Sequence, residues 1–187
     1  MPGSIKIDDG SGNYTILTNA GSLGSDKTIT LPNTTGTVAL TSDSFGKVLQ
    51  VVSATSSTAQ DTTSTSYVDI TNLSVSITPS SSSNDILILY TDTTRTTRTS
   101  DVSSGTVFVQ LLRDSTSIAE KQASIYNSAG GNGSNSIVQG EAISELDSPS
   151  TTSAITYKMQ MKASSSTTIS SQFGNSTASL IAMEIAG

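Results

Sequence analysis

The chain has 187 residues, enough for one ordinary domain and a small appendage, and only 34% of them are apolar, which is low for a globular protein. It contains no Cys, His or Trp, which excludes disulfides, thiolate nucleophiles, Cys/His zinc sites and a Ser-His-Asp triad. The net charge of −6 argues against nucleic acid and anionic membrane surfaces as partners.

Ser and Thr are abundant, and together with Val and Ile they favour strands and turns over helices. The composition therefore predicts an all-β protein. A chain with so little apolar material buries only a thin core by itself, and a homotrimer or a larger ring would supply the missing burial. Disorder is the alternative, but apolar and polar residues alternate with a two-residue period along much of the chain, and disordered segments lack that pattern.

Residues 1–44 are predicted to form very short strands joined by Gly, Asn and Asp turns. Ile5-Lys6-Ile7 and Tyr14-Thr15-Ile16 alternate on either side of the turn Asp8-Asp9-Gly10-Ser11-Gly12-Asn13. Two further short strands are expected at 28–31 and 37–40. Each carries too few apolar side chains to bury a face within one chain. We therefore predict an attachment or shaft segment that interleaves with sister subunits or docks on another protein.

A longer β domain is predicted over residues 45–187. Its alternation over 67–77 slips by one position at Thr71-Asn72, which indicates a β-bulge. The run 86–90 is entirely apolar and short enough for a strand buried on both faces, so we expect it at the centre of the core.

The later strands follow at regular intervals. A hairpin turn is predicted at 113–116, strict alternation places one face of 155–162 in the core, and the chain closes on a strand at 180–185. Residues 137–147 are assigned to a strand rather than a helix because Gly140 interrupts them and Pro149 ends them. About eight strands in 45–187 describe a β-sandwich, and closing its sheets without exposed edges favours a jelly roll.

The N-terminal stretch GSIKIDDGSGNYTILTNAGSLGSDKTITLPNTTGTVAL resembles a repeat of fiber and virion proteins from tailed phages of marine and freshwater bacteria, including cyanophages. In that repeat a short strand, a DGSGN turn and a TLP…G element recur. The stretches GKVLQVVSATSSTAQDTTSTSYVDITNLSVSITPSSSSNDILI, FVQLLRDSTSIA, ELDSPSTTSAITYKMQMK and SLIAMEI are similar to the jelly-roll head that often follows it. The resemblance implies a trimeric bacteriophage virion structural protein with no catalytic residues.

Tail fibers of this kind usually carry a long shaft before the head, and this chain has one repeat-like element. A head fiber or capsid decoration protein is therefore favoured over a short tail fiber that binds a receptor. The predicted partners are sister copies, other virion proteins of the capsid or tail, and a host surface glycan; nucleic acid and membrane insertion are not expected. Because the N-terminus lacks an apolar export segment, we expect synthesis in the host cytoplasm, release by lysis and a place on the virion surface.

No enzymatic activity, cofactor or metal is predicted. Glu120, Glu141, Glu145 and Asp147 are the clustered carboxylates that a paired-carboxylate glycosidase would need. Glu141 and Glu145, however, alternate with apolar residues as solvent-facing strand residues do. The segment 8–13 lacks the ligand pattern of a calcium loop and is interpreted as a turn.

The segment 130–134 is rich in glycine, but neither a Lys-Ser/Thr pair nor a helix follows it, so it is not a phosphate-binding loop. Loops on a rigid sandwich commonly hold recognition residues. The candidate partner-contact residues are therefore Tyr126, Asn127, Asn132 and Asn135.

A non-catalytic carbohydrate-binding module is the alternative from a different functional class. Aromatic residues make up only 4% of the chain, which disfavours a broad stacking platform for sugars. An exposed row of Tyr67, Tyr126 and Tyr157 would favour this alternative.

Overall fold

Strands make up nearly all of the regular structure in the residues that the computed structural model describes, which are 5–8, 11, 14–17, 48–98, 104–126 and 135–187. The chain divides into two units, Met1–Asp43 and Ser44–Gly187. In the first unit, β1 (Ile5–Asp8) and β2 (Tyr14–Leu17) pair antiparallel, which confirms the first two predicted strands. The strands predicted at 28–31 and 37–40 lie outside the described residues.

The second unit is an all-β sandwich, as predicted. Its described strands are β3 (Val48–Ser56), β4 (Gln60–Thr62), β5 (Val68–Ile77), β6 (Asp85–Arg98), β7 (Ser104–Arg113), β8 (Thr116–Tyr126), β9 (Asn135–Asp147), β10 (Ile155–Ala163), β11 (Thr167–Ser171) and β12 (Ala178–Ile185). One turn of 3-10 helix, Phe173–Asn175, separates β11 from β12.

The eight principal strands pair as one long folded hairpin. Antiparallel pairs join β7 to β8, β6 to β9, β5 to β10 and β3 to β12. The hairpin wraps around so that β12 also pairs with β6 and β10 with β7. This connectivity is that of a jelly roll.

Two antiparallel sheets result, which we call wide and narrow. The narrow sheet has the order β5-β10-β7-β8. The wide sheet has the order β3-β12-β6-β9, and β11 and β4 extend it beside the second half of β6. Alternate residues of each strand therefore face the other sheet or the outside.

Local predictions along this domain are confirmed at three places. Asn72 has a φ of 64°, and the pairing of β5 with β10 shifts between Asp69 and Ser74, which is the expected bulge. The predicted hairpin turn lies between β7 and β8. In β10 the apolar residues are buried at alternate positions, as the strict alternation requires.

The run 86–90 lies at the core, but the expectation that both of its faces are buried is wrong for the single chain. Ile86, Ile88 and Tyr90 point between the sheets and are at most 1% exposed. Leu87 and Leu89 lie on the outer face of the wide sheet and are only half-buried. An apolar run of this kind needs a second covering layer, which the other sheet does not provide.

The two ends of the sandwich differ in the polarity of their interior. At the near end β3 begins and β12 ends, and Ile185 pairs with both Val48 and Asp85. At the far end β6 finishes, and Arg98 pairs with Asn135. The 14 residues of β6 place these ends about 45 Å apart, at ~3.3 Å a residue. Toward the far end the interior positions of β6 become polar; they are Asp92, Thr94, Thr96 and Arg98, all buried.

Candidate partner-binding surfaces

The predicted partner-contact residues fall at the far end. Tyr126 is the last residue of β8 and its side chain is 78% exposed, while Asn135 begins β9 and is also exposed. Asn127 and Asn132 lie outside the described residues. A cleft of about 260 Å³ lies here, lined by Ser124, Ile125, Tyr126, Asn135, Ser136 and Ile137. The lining combines an aromatic ring, an amide, hydroxyl groups and two aliphatic side chains, and none of these residues is charged.

The row of exposed tyrosines that would favour a carbohydrate-binding module does not form. Tyr157 is fully buried, and its hydroxyl donates to Asp147 Oδ2 at 2.6 Å. Burial and this hydrogen bond raise the pKa of Tyr157. Tyr67 is half-buried on the outer side of the narrow sheet, where its hydroxyl bonds to Glu120. Of the three residues, only Tyr126 presents its ring to solvent.

The four clustered carboxylates do not converge on a groove. Glu120 lies on the outer side of the narrow sheet, and Asp147 pairs with Arg113 at 2.7 Å between the sheets. Glu145 lies two residues before Asp147 and is half-buried on the same inward side of β9, so the prediction that it faces solvent is also wrong. Within the described ranges, no three His, Cys, Asp or Glu side chains are grouped so as to hold a metal ion. In the same part of the chain, no helix has the length and apolarity needed to cross a membrane.

Glu141 corrects the prediction that it faces solvent. It is 3% exposed and points between the sheets, where its Oε2 lies 3.1 Å from Lys121 Nζ and its Oε1 accepts from Gln139 Nε2 at 2.8 Å. It pairs across strands with Asp92, in the polar half of the interior. Alternation alone could not identify the buried face here, because this interior face carries polar residues.

An apolar band crosses the outer face of the wide sheet. In a single register row, Met183 pairs with Val51 on one side and with Leu87 on the other, and Leu87 pairs with Leu146. Val51 and Leu146, at the two edges, are each 56% exposed. The next outward-facing row toward the far end adds the pair Ile181 and Leu89. The members of the apolar band are Val51, Leu87, Leu89, Leu146, Ile181 and Met183.

The outer face of the narrow sheet is largely polar, and its polar groups bond to one another. Lys158 forms an ion pair with Asp69 at 3.0 Å, and Gln160 donates to the same carboxylate at 2.6 Å. Lys162 Nζ lies over the rings of Tyr67 and Phe108, at 4.3 and 4.7 Å from their centroids. The two outer faces of the sandwich thus differ sharply, and the wide sheet presents the kind of contiguous apolar surface that typically marks an interaction site.

The apolar band was not predicted from the sequence. In 86–90 and in 180–185, apolar residues occupy both odd-numbered and even-numbered positions. A strand buried on one face needs apolar residues only at alternate positions, so this pattern was the signal for the band. The assembly of these residues into a row depends on the pairing of β12 with β6, which joins segments far apart in the chain.

No family model matches the sequence, and no curated protein matches it. Similar solved structures include the infectious bursal disease virus Gx strain, at 14% identity and a TM-score of 0.29 over 86% of this chain and 44% of that chain. The VP2 subviral particle of that virus is similar at 12% identity and a TM-score of 0.31, over 73% of this chain and 39% of that chain. The Eiger TNF from S. frugiperda is similar at 6% identity and a TM-score of 0.30, over 73% of this chain and 93% of that chain.

This chain spans less than half the length of those viral chains.

Proposed function

We propose that this chain is a non-enzymatic structural protein of a bacteriophage particle surface, a homotrimeric head fiber or capsid decoration protein. Residues 1–44 form the segment that attaches it to the virion, and residues 45–187 form a jelly-roll head. The resemblance of the N-terminal stretch to phage fiber repeats supports the virion location. The jelly-roll connectivity of the head agrees with the fold that this resemblance implies.

The observation that carries the association of copies is the apolar band, and three copies are what the resemblance implies. Only 34% of the chain is apolar, yet six apolar residues lie together on the outer face of one sheet, while the opposite outer face is largely polar. Complete burial of such a side chain stabilises by roughly 1.5–3 kcal/mol, so covering a band of half-buried and exposed residues gives a substantial driving force for association.

Sister copies are the partners that best fit this band. The chain carries a net charge of −6, and two copies that meet through a charged face would repel each other. None of the band residues is charged, so the contact brings no like charges together. A sister copy is also present wherever the chain is made, which keeps a surface of this kind covered.

Light scattering on the purified full-length chain tests the assembly. The expected mass is three times 19.2 kDa. Val51→Asp places a carboxylate in the apolar band, at a position exposed enough to accept it in a folded monomer, and it should reduce the mass to that of one chain. The matched control is Ser76→Asp, on edge strand β5 and exposed on the narrow sheet, which should stay trimeric. A monomeric wild type, or a trimeric Val51→Asp protein, would contradict the assembly.

Virion association requires a separate experiment. Mass spectrometry of purified particles from the phage that encodes the chain should detect it in a fixed ratio to the major capsid protein. Antibody labelling viewed by electron microscopy should place it on the capsid. Its absence from purified particles would overturn the virion proposal, whatever the mass of the isolated chain.

A short tail fiber that binds a receptor is the second candidate, and the far-end cleft favours it. An exposed tyrosine beside an asparagine amide is suited to contact with a host surface glycan. The same antibody labelling separates the two candidates, because a tail fiber would be labelled at the tail and not over the capsid.

A further inference from the structure

We propose that the far-end cleft is a binding site for a neutral sugar unit of a cell-surface glycan. This inference deepens the proposed function and rests on it for its biological setting, since a protein on the virion surface can meet such a glycan. The evidence for the site itself is the set of side chains that line the cleft.

The cleft is held by two strands from different sheets. Tyr126 ends β8 of the narrow sheet, and Asn135 begins β9 of the wide sheet. Ser124 and Ile125 continue inward along β8, and Ile125 is anchored in the core at 8% exposure. Side chains carried by paired strands are positioned before a ligand arrives, which reduces the ordering cost of binding.

Tyr126 supplies the stacking surface. At 78% exposure it is the most exposed large apolar side chain among the described residues. Tyr90 and Tyr157 are buried, and the hydroxyl of Tyr67 is bonded to Glu120. A sugar ring has an apolar face of C–H groups, and an accessible aromatic ring with a polar edge is suited to pack against it.

The remaining lining supplies hydrogen bonds without charge. The Asn135 amide offers two donors and an acceptor, and the Ser136 hydroxyl offers one donor and two acceptor positions, which match the hydroxyl groups of a sugar. The Ser124 hydroxyl is already bonded to Thr106 Oγ1 at 2.8 Å and is part of the scaffold. Because none of the described residues that line the cleft is basic, an anionic sugar would gain no ion pair from them.

The size of the cleft limits the ligand. Its volume of about 260 Å³ falls below the ~300–1,000 Å³ of pockets that enclose drug-sized molecules. One sugar unit is therefore the expected occupant, with weak affinity at each site. Three copies on a trimer would raise the effective affinity for a glycan-coated surface through multivalency.

The test uses the full-length protein on an array of neutral and sialylated glycans, followed by saturation-transfer NMR with the neutral glycans that bind. Neutral glycans should bind and sialylated ones should not bind better. Tyr126→Ala should weaken binding by at least about tenfold, because it removes the ring against which the sugar packs. Tyr126→Phe should retain most of the binding. Gln122→Ala, an exposed change on the same strand outside the cleft, should bind like the wild type.

Failure of the sugar site and failure of the trimer give different results. If no neutral glycan binds, if Tyr126→Ala binds as the wild type does, or if sialylated glycans bind better, the sugar site is overturned while the trimer mass is unaffected. A monomer that binds sugars through Tyr126 would support the sugar site and contradict the trimer. Circular dichroism of each variant verifies that the strands are intact.

Discussion

Glu184 is a buried carboxylate that fastens the near end of the sandwich. It is 1% exposed on the inner side of β12. Its oxygens accept from the Ser80 amide and the Asn84 side chain, each at 2.6 Å, and from Gln50 Nε2 at 2.6 Å. Burial by itself raises the pKa of this carboxyl, but the hydrogen bonds from Asn84, Gln50 and Ser80 outweigh burial and lower the pKa to about 2. One side chain thereby connects β12 to β3 and to the segment before β6.

The depressed pKa of Glu184 predicts an acid-sensitive contribution to stability. A carboxyl whose folded pKa lies below its ordinary value of 4.5 stabilises the fold above that pH, and the contribution is lost as the pH falls toward 2. Glu184→Gln should lower the free energy of unfolding at pH 7 by about 2 kcal/mol, because it weakens hydrogen bonds to a charged acceptor. Urea titrations of both proteins from pH 7 to pH 2 should show the difference between their free energies of unfolding decreasing as the pH falls.

A control isolates this effect from the titration of other carboxylates. Asp61→Asn changes an exposed acid on β4 that takes no part in these hydrogen bonds, and at pH 7 it should unfold at the same urea concentration as the wild type. If the free energies of unfolding of the wild type and Glu184→Gln differ as much at pH 2 as at pH 7, the acid sensitivity does not come from Glu184.

At the scale of elements, the connection from β11 to β12 is an excursion from the wide sheet. Ser170 of β11 pairs with Arg95, and Ser179 of β12 pairs with Thr91. The chain therefore advances nine residues from β11 to β12 while β6, beside it, covers only four. Gln172 has a φ of 50° and is fully buried, and in the turn after it Gly174 and Asn175 are also left-handed, with φ values of 71° and 60°. Such backbone persists only where the surroundings hold it in place.

Asp92 holds this excursion. Its carboxylate accepts from Ser171 Oγ at 2.6 Å, from the Gln172 amide at 3.0 Å and from the Tyr90 hydroxyl at 3.1 Å. We expect Asp92→Ala to lower the free energy of unfolding by about 2–4 kcal/mol, since it leaves several buried donors without a partner. Asp69→Ala removes an exposed ion pair with Lys158 and should cost less than about 1 kcal/mol. Equal losses for the two variants in urea unfolding would contradict the anchoring role of Asp92.

How well each strand was predicted depended on how apolar it is. β10 has an apolar residue at every inward position up to Met161, and its alternation gave the correct face. β11 was not predicted because its five residues include one apolar side chain, and β4 contains none. Both strands owe their conformation to pairing beside β6, which is a tertiary effect that a local pattern does not contain. The polar half of the core was missed for the same reason, since Asp92 and Glu141 read as surface residues.

At the scale of the whole molecule, the low apolar content predicts that other copies complete the burial of the chain, and the apolar band is the surface that such copies would cover. The run 86–90 has the composition of a strand covered on both faces, yet Leu87 and Leu89 are only half-buried. Partner contact was predicted at Tyr126, Asn127, Asn132 and Asn135, of which Asn127 and Asn132 lie outside the described residues. Tyr126 and Asn135 line the cleft, which depends on two sheets meeting at the far end. The trimer stays a prediction.

A trimer held through the apolar band should have a thermal stability that depends on protein concentration, because association that requires folded chains stabilises them by mass action. The unfolding temperature of the wild type should therefore rise between low and high micromolar concentrations. Leu146→Glu should abolish this dependence, since Leu146 is 56% exposed on β9, at the opposite edge of the wide sheet from Val51. Gln122→Glu is its matched control, an exposed site on the narrow sheet's edge strand β8, and should keep the dependence. Concentration dependence in Leu146→Glu equal to that of the wild type would place the contact between copies on some other surface.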